Sequence, residues 1–149
     1  MRWNQFANDQ VRAESLGDLL LGAAHAGGAF DDVYLAVVHG QVAKALGVSR
    51  LPAAVQVRMA AFDVTRFDVA AACARCGLFD PRDRVALLKT VVTVLRAEGT
   101  MSRAGRLFAM LVAGALEIPL SDVIPVVGMP ERPITAPRPR PCLLYTSPS

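Results

Sequence analysis

Two six-residue stretches, Ala26-Gly27-Gly28-Ala29-Phe30-Asp31 and Ala97-Glu98-Gly99-Thr100-Met101-Ser102, each open a long apolar run, and these close as Ala45-Leu46-Gly47-Val48 and Ala115-Leu116-Glu117-Ile118. Superposing them puts Gly28 on Gly99 and Phe30 on Met101, and one single-residue gap then brings Ala45-Leu46 onto Ala115-Leu116. Each half therefore reads as a helix, a glycine turn and a capped helix. The turn is a strong constraint, because Gly28 and Gly99 can take positive φ at low steric cost and the apolar residue two places on can pin the loop to a core. Such duplicated pairs pack face to face, so the chain predicts a single all-α domain built from a pseudo-duplicated helix-turn-helix unit.

Apolar residues recur at three and four along the periodic segments, and strand-like alternation is rare. Seven helices follow. The first is expected over Leu16 to Ala26, with Ser15 as its cap and Leu16, Leu19, Leu20 and Ala23 on one face. Asp31 or Asp32 caps the second, which carries Val38, Val42, Ala45 and Leu46 inward and stops at Gly47. A third starts at Pro52 and runs to about Phe62; a fourth starts from Asp63 or Thr65 and ends at Gly77. Asp80-Pro81-Arg82-Asp83 is the clearest start, with a capping carboxylate, proline at the first position and a second acid in the first turn. Val85, Leu88, Val92 and Leu95 form the face of that fifth helix. Ser102 caps the sixth, to about Glu117, and Ser121 the last, to about Val127.

The organisation expected is a polar arm over 1–15, the helical domain over 16–128, a Pro/Arg-rich linker over 129–141 and an unrelated end over 142–149. Five prolines among the twelve residues from Pro130 to Pro141 forbid helix and favour an extended tether. Cys142-Leu143-Leu144-Tyr145-Thr146-Ser147-Pro148-Ser149 resembles a translated sequencing adapter and is excluded from fold reasoning. The authentic chain is then expected to end near Pro141, with a further C-terminal domain missing.

The formal charge of +3 carries little information, because Arg132, Arg138 and Arg140 against Glu131 supply most of it from the linker. Fourteen arginines against two lysines reflect GC-rich coding rather than a clustered basic stripe, so nucleic acid is not an expected partner. A mean hydropathy of +0.36 raises the question of a membrane span. Its best candidate, Leu107 to Leu116, is bracketed by Arg106 and Glu117 and falls short of the roughly 20 apolar residues a span needs. The start of the chain lacks an apolar signal core. A cytoplasmic protein with no membrane span is expected.

Catalytic constellations are weak. Cys73 and Cys76 stand at i and i+3 and could give two thiolates to zinc, but structural zinc takes four ligands and no second pair follows; buried apolar cysteine is the expectation. His25 and His39 lie on adjacent expected helices and could approach one another around Asp31 or Asp32, yet no nucleophile accompanies them and no glycine-rich phosphate loop is present. A helical di-iron site would want Glu-Xaa-Xaa-His pairs. The body has three glutamates, Glu14, Glu98 and Glu117, and none precedes a histidine by three. No enzyme is expected.

The duplicated turn, the segment Arg96-Ala97-Glu98-Gly99-Thr100-Met101-Ser102 and the closing Leu116-Glu117-Ile118-Pro119-Leu120-Ser121-Asp122 resemble the TerB-like family of tellurite-resistance and stress-associated proteins. That family carries Ala-Asp-Gly-Xaa-apolar-Ser/Asp-Xaa-Xaa-Glu between helices, usually twice, in a seven-helix fold. The resemblance covers Leu16 to about Val127. It implies a non-catalytic stress-response module that binds a partner protein and a divalent metal ion through acids at the turns. Here Gly27 stands where the family has Asp, and Tyr34 and Gly105 where it has Glu. Glu98 is the one acid matching by type, so the candidate metal ligands are Glu98, Asp31 and Asp32, with helix capping by the aspartates as the competing use. The other reading is a helical interaction or scaffold domain of a larger, truncated protein; relatives joined to a chaperone J-domain imply a chaperone-linked one.

Overall fold

A computed structural model describes residues 10–27, 32–78 and 80–128. Among them are seven α-helices, one 3-10 turn and no strand, the all-α class that the periodicity predicts. In chain order the helices are α1 (Gln10–Ala26), α2 (Asp32–Leu46), α3 (Ala53–Ala60), α4 (Val69–Cys76), α5 (Pro81–Leu95), α6 (Arg103–Ala115) and α7 (Leu120–Val127), with the 3-10 turn at Val64–Arg66 between α3 and α4.

The helices of the two repeat units, α1–α2 and α5–α6, form as expected. Their leading helices pack against one another, and α1 also touches α2, α3, α4 and α6. That position explains a departure from the sequence reading. Leu16, Leu19, Leu20 and Ala23 are buried, but so are Ala13, Leu21 and Ala24, so α1 is enclosed on most of its circumference rather than along one stripe. The helix also starts earlier than expected, at Gln10, which places Ser15 inside it. Ser15 is buried there and its hydroxyl accepts from Arg75 Nε at 3.3 Å, so it joins helices instead of capping one.

Close approach to α1 depends on one glycine. A Cβ at Gly22 would lie 2.4 Å from Cε2 of Phe67, whose ring therefore rests directly on the helix backbone. Phe67 stacks in turn on Phe108 of α6 at 6.2 Å between ring centroids, and meets Phe62 at 5.6 Å. The aromatic chain joins α1, the segment after α3, and α6.

Local chemistry sets most of the other boundaries. Asp80 accepts from the Arg82 amide at 2.8 Å with Pro81 behind it, and Ser102 accepts from the Gly105 amide at 3.0 Å. Between α3 and α4 the expected single start divides in two. Asp63 caps the 3-10 turn through the Thr65 amide, and Asp68 caps α4 through the Ala70 amide, both at 3.0 Å. The last helix starts at Leu120 after Pro119 rather than at Ser121.

Candidate functional site

Of the predicted metal ligands Glu98, Asp31 and Asp32, the described residues include Asp32 and Glu98. Asp32 is exposed in the first turn of α2, where a carboxylate suits the helix dipole, and Glu98 is exposed beside Gly99 in the turn before α6. Asp31 lies outside the described residues, as does Gly28. Among the described residues no three His, Cys, Asp or Glu side chains are placed to hold a metal ion. A hard divalent cation takes six or more oxygen ligands, so Asp32 and Glu98 alone do not fit one. The two positions at which the TerB-like pattern has Glu serve packing. Tyr34 is buried, its ring against Gly27 and its hydroxyl donating to the Gly27 carbonyl at 3.5 Å. Gly105 is buried where a Cβ would crowd Leu95 and Met101 at 3.2 Å. Gly99 takes the expected positive φ, +105°, and Met101 packs on the core two residues later.

Cys73 and Cys76 are buried on the inner face of α4 and are not joined in a disulfide. Burial pushes the Cys73 thiol up to about 11, which removes thiolate at neutral pH. His25 stacks on Phe62 at 5.7 Å.

A polar cleft of about 330 Å³ lies between α1, α3 and α4, lined by Asp18, Arg58, Asp63, Arg66, Asp68 and Arg75 with Phe62 and Phe67 at its floor. Its charges satisfy one another. Arg58 donates to both oxygens of Asp18, at 2.9 and 3.5 Å, and Arg75 reaches the same carboxylate at 3.9 Å. Asp63 and Asp68 are used as caps. The Asp18 contact holds the Arg58 guanidinium above its ordinary range, and the two Thr65 hydrogen bonds hold Asp63 below the usual carboxylate range. Three acids against three guanidiniums leave the cleft with no net charge, and its Asp18–Arg58 and Asp18–Arg75 contacts make it a clasp between helices.

The outer face of α6 is different. Leu107 and Leu111 are 60% and 62% exposed and Met110 37%, and Ala104, Gly114 and Ala115 complete a face with no charged side chain between Arg106 and Glu117. Its opposite side carries Gly105, Phe108, Ala109, Val112 and Ala113 into the core. Leu107-Phe108-Ala109-Met110-Leu111-Val112 has apolar residues all round, the pattern of a helix covered on two sides. Among the described residues one side is covered. A groove of about 600 Å³ runs from this face to the start of α4, lined by Phe67, Val69, Ala70, Met110, Leu111 and Gly114 among others. Three exposed large side chains on one short helix, continuous with a groove, form a patch rather than the scattered apolar exposure of ordinary surfaces. The same run is the chain's best membrane candidate and is too short for one; the described helices include none long and apolar enough to cross a membrane.

Comparison with protein-family models, with curated proteins and with solved structures gives no match.

Proposed function

We propose that this domain is a helical interaction module whose outer α6 face binds another protein chain. The observation that carries the reading is the exposed Leu107, Met110 and Leu111 surface and its continuity with the groove at Phe67, Val69 and Ala70. Burial of apolar area is the main source of association free energy, and anchors beside a groove are the usual form of a helix-in-groove or helix-on-helix contact. The buried thiols and the self-neutralised cleft supply no competing chemistry. The module reading is tested by capture from cells that contain the protein, using the full chain, a Leu107→Asp/Leu111→Asp variant and a Val57→Asp control, Val57 being exposed on α3. A partner lost with the double variant and kept by the control supports the reading. Equal capture by all three contradicts it.

A TerB-like role in stress response is a second reading, favoured by the packing of two helix-turn-helix units against one another and by the glycine turn at Gly99. It adds a divalent ion at Asp31, Asp32 and Glu98. Calorimetric titration with calcium, magnesium, manganese and zinc, repeated on Glu98→Ala, tests it: heat lost in the variant supports the ion site, and no heat with any ion leaves the interaction module alone.

A further inference from the structure

Resting on the interaction reading, we infer that the occupant of the α6 face is a second copy of this chain, packed antiparallel across a two-fold axis near Met110 and Leu111. Two properties of α6 point there. The first is charge. Arg103 is the first residue of the helix and Glu117 lies just past its end, with no acid in the first turn and no base in the last. Each charge therefore opposes the dipole of its own helix. Glu117 also holds φ at +57°, a left-handed conformation that glycine fills with less strain. Neither side chain forms an ion pair among the described residues, and Arg84, which lines the same hollow as Glu117, donates instead to the carbonyls of Leu78 and Leu116. In an antiparallel pair both mismatches reverse. Arg103 meets Glu117 of the other copy and the negative end of that helix, and the same contact repeats at the far end.

The second property is shape. Antiparallel register about the middle of α6 sets Leu107 opposite Gly114 of the second copy and Met110 opposite Leu111. A Cβ at Gly114 would meet nothing within 4 Å, so the glycine leaves a hole that a leucine knob can enter. Ala104, Leu107, Leu111 and Gly114 follow the three-four-three spacing of a helix-packing seam, distinct from the inner stripe. A two-fold contact has to be self-complementary, and this face is so in both charge and size. α6 spans only 13 residues, which limits the buried area and sets a weak, concentration-dependent dimer rather than an obligate one.

Sedimentation velocity of the full chain from micromolar to millimolar concentration tests the inference. A reversible monomer–dimer shift is expected, lost in Arg103→Glu and in Glu117→Arg alone and recovered in an equimolar mixture of those two variants, in which every end pair is again opposite in sign. Both substitutions are on exposed residues, and unchanged helical circular dichroism verifies that each variant is folded. A chain monomeric throughout overturns self-association; if Leu107→Asp/Leu111→Asp still loses a captured protein, a different partner occupies the face and the interaction reading stands. A crosslink from position 111 to residues 129–149 of the same molecule likewise overturns the dimer. Dimers that ignore all three variants place the contact elsewhere and overturn it too.

Discussion

Arg58 on α3 donates Nη2 to Asp18 Oδ2 on α1 at 2.9 Å, across forty residues of sequence, and the two side chains are unequally exposed at 48% and 8%. The asymmetry decides which partner matters. Removing Asp18 returns a half-exposed guanidinium to water, whereas removing Arg58 leaves a buried carboxylate with only the longer contact to Arg75. Arg58→Ala is therefore expected to destabilise by about 1–3 kcal/mol, and Asp18→Asn by less. Urea denaturation of the two single variants and the double variant gives the coupling energy. Equal, near-zero effects would remove the clasp from the account.

Gly22→Ala should be more damaging than Gly17→Ala on the same helix, because the new Cβ meets the Phe67 ring, which is itself held by Phe62 and Phe108. A loss of about 1–3 kcal/mol is expected. Gly40→Ala, where a Cβ meets nothing, should stabilise by about 0.5–1 kcal/mol through helix propensity. The pair measured together by thermal unfolding separates steric clash from backbone entropy.

These two relationships show where sequence reasoning stops. Capping at Asp80 and Ser102, the glycine turn at Gly99 and the stripe of α2 are local, and residue identity decides them; α5 instead buries Leu87, Val91 and Val94 along with the expected Leu88, Val92 and Leu95, and leaves Val85 partly exposed. The neighbours of α1 are not local. Gly22 accepts Phe67 from 45 positions away, and nothing within α1 announces that Ser15 and Asp18 will meet arginines from α3 and α4. The α6 face escaped for a related reason: an apolar residue signals burial without saying whether the cover comes from the same chain.

The buried thiol gives a pH dependence. Cys73 has an ordinary value of 9.0 when unfolded and about 11 when folded. The folded state therefore holds its proton more tightly, so the contribution is fully present below pH 9 and is lost as pH rises to about 11. Stability should fall by roughly 2 kcal/mol over that window and by less in Cys73→Ala. Cys73 and Cys76 should also react with thiol reagents at neutral pH only through unfolding. Rapid labelling of either one, located by peptide mass spectrometry so that Cys142 is read separately, would contradict the burial.

Glu117→Gly should raise the stability of the dilute chain by about 1 kcal/mol, since it relieves a left-handed residue and removes an acid from a helix C-terminus. The same change should weaken association. Denaturation at low concentration and sedimentation at high concentration measure the two effects on one protein; stabilisation without weakened association would leave Glu117 outside the interface.

If the outer face of α6 is a binding surface, site-specific photocrosslinking will capture its occupant, with the photoreactive residue placed at position 111 in one chain and at position 57 in another, positions 62% and 69% exposed respectively. Discrete adducts are expected from position 111, including a band at twice the chain mass, and none of these from position 57. Indistinguishable adduct patterns from the two positions would rule that surface out.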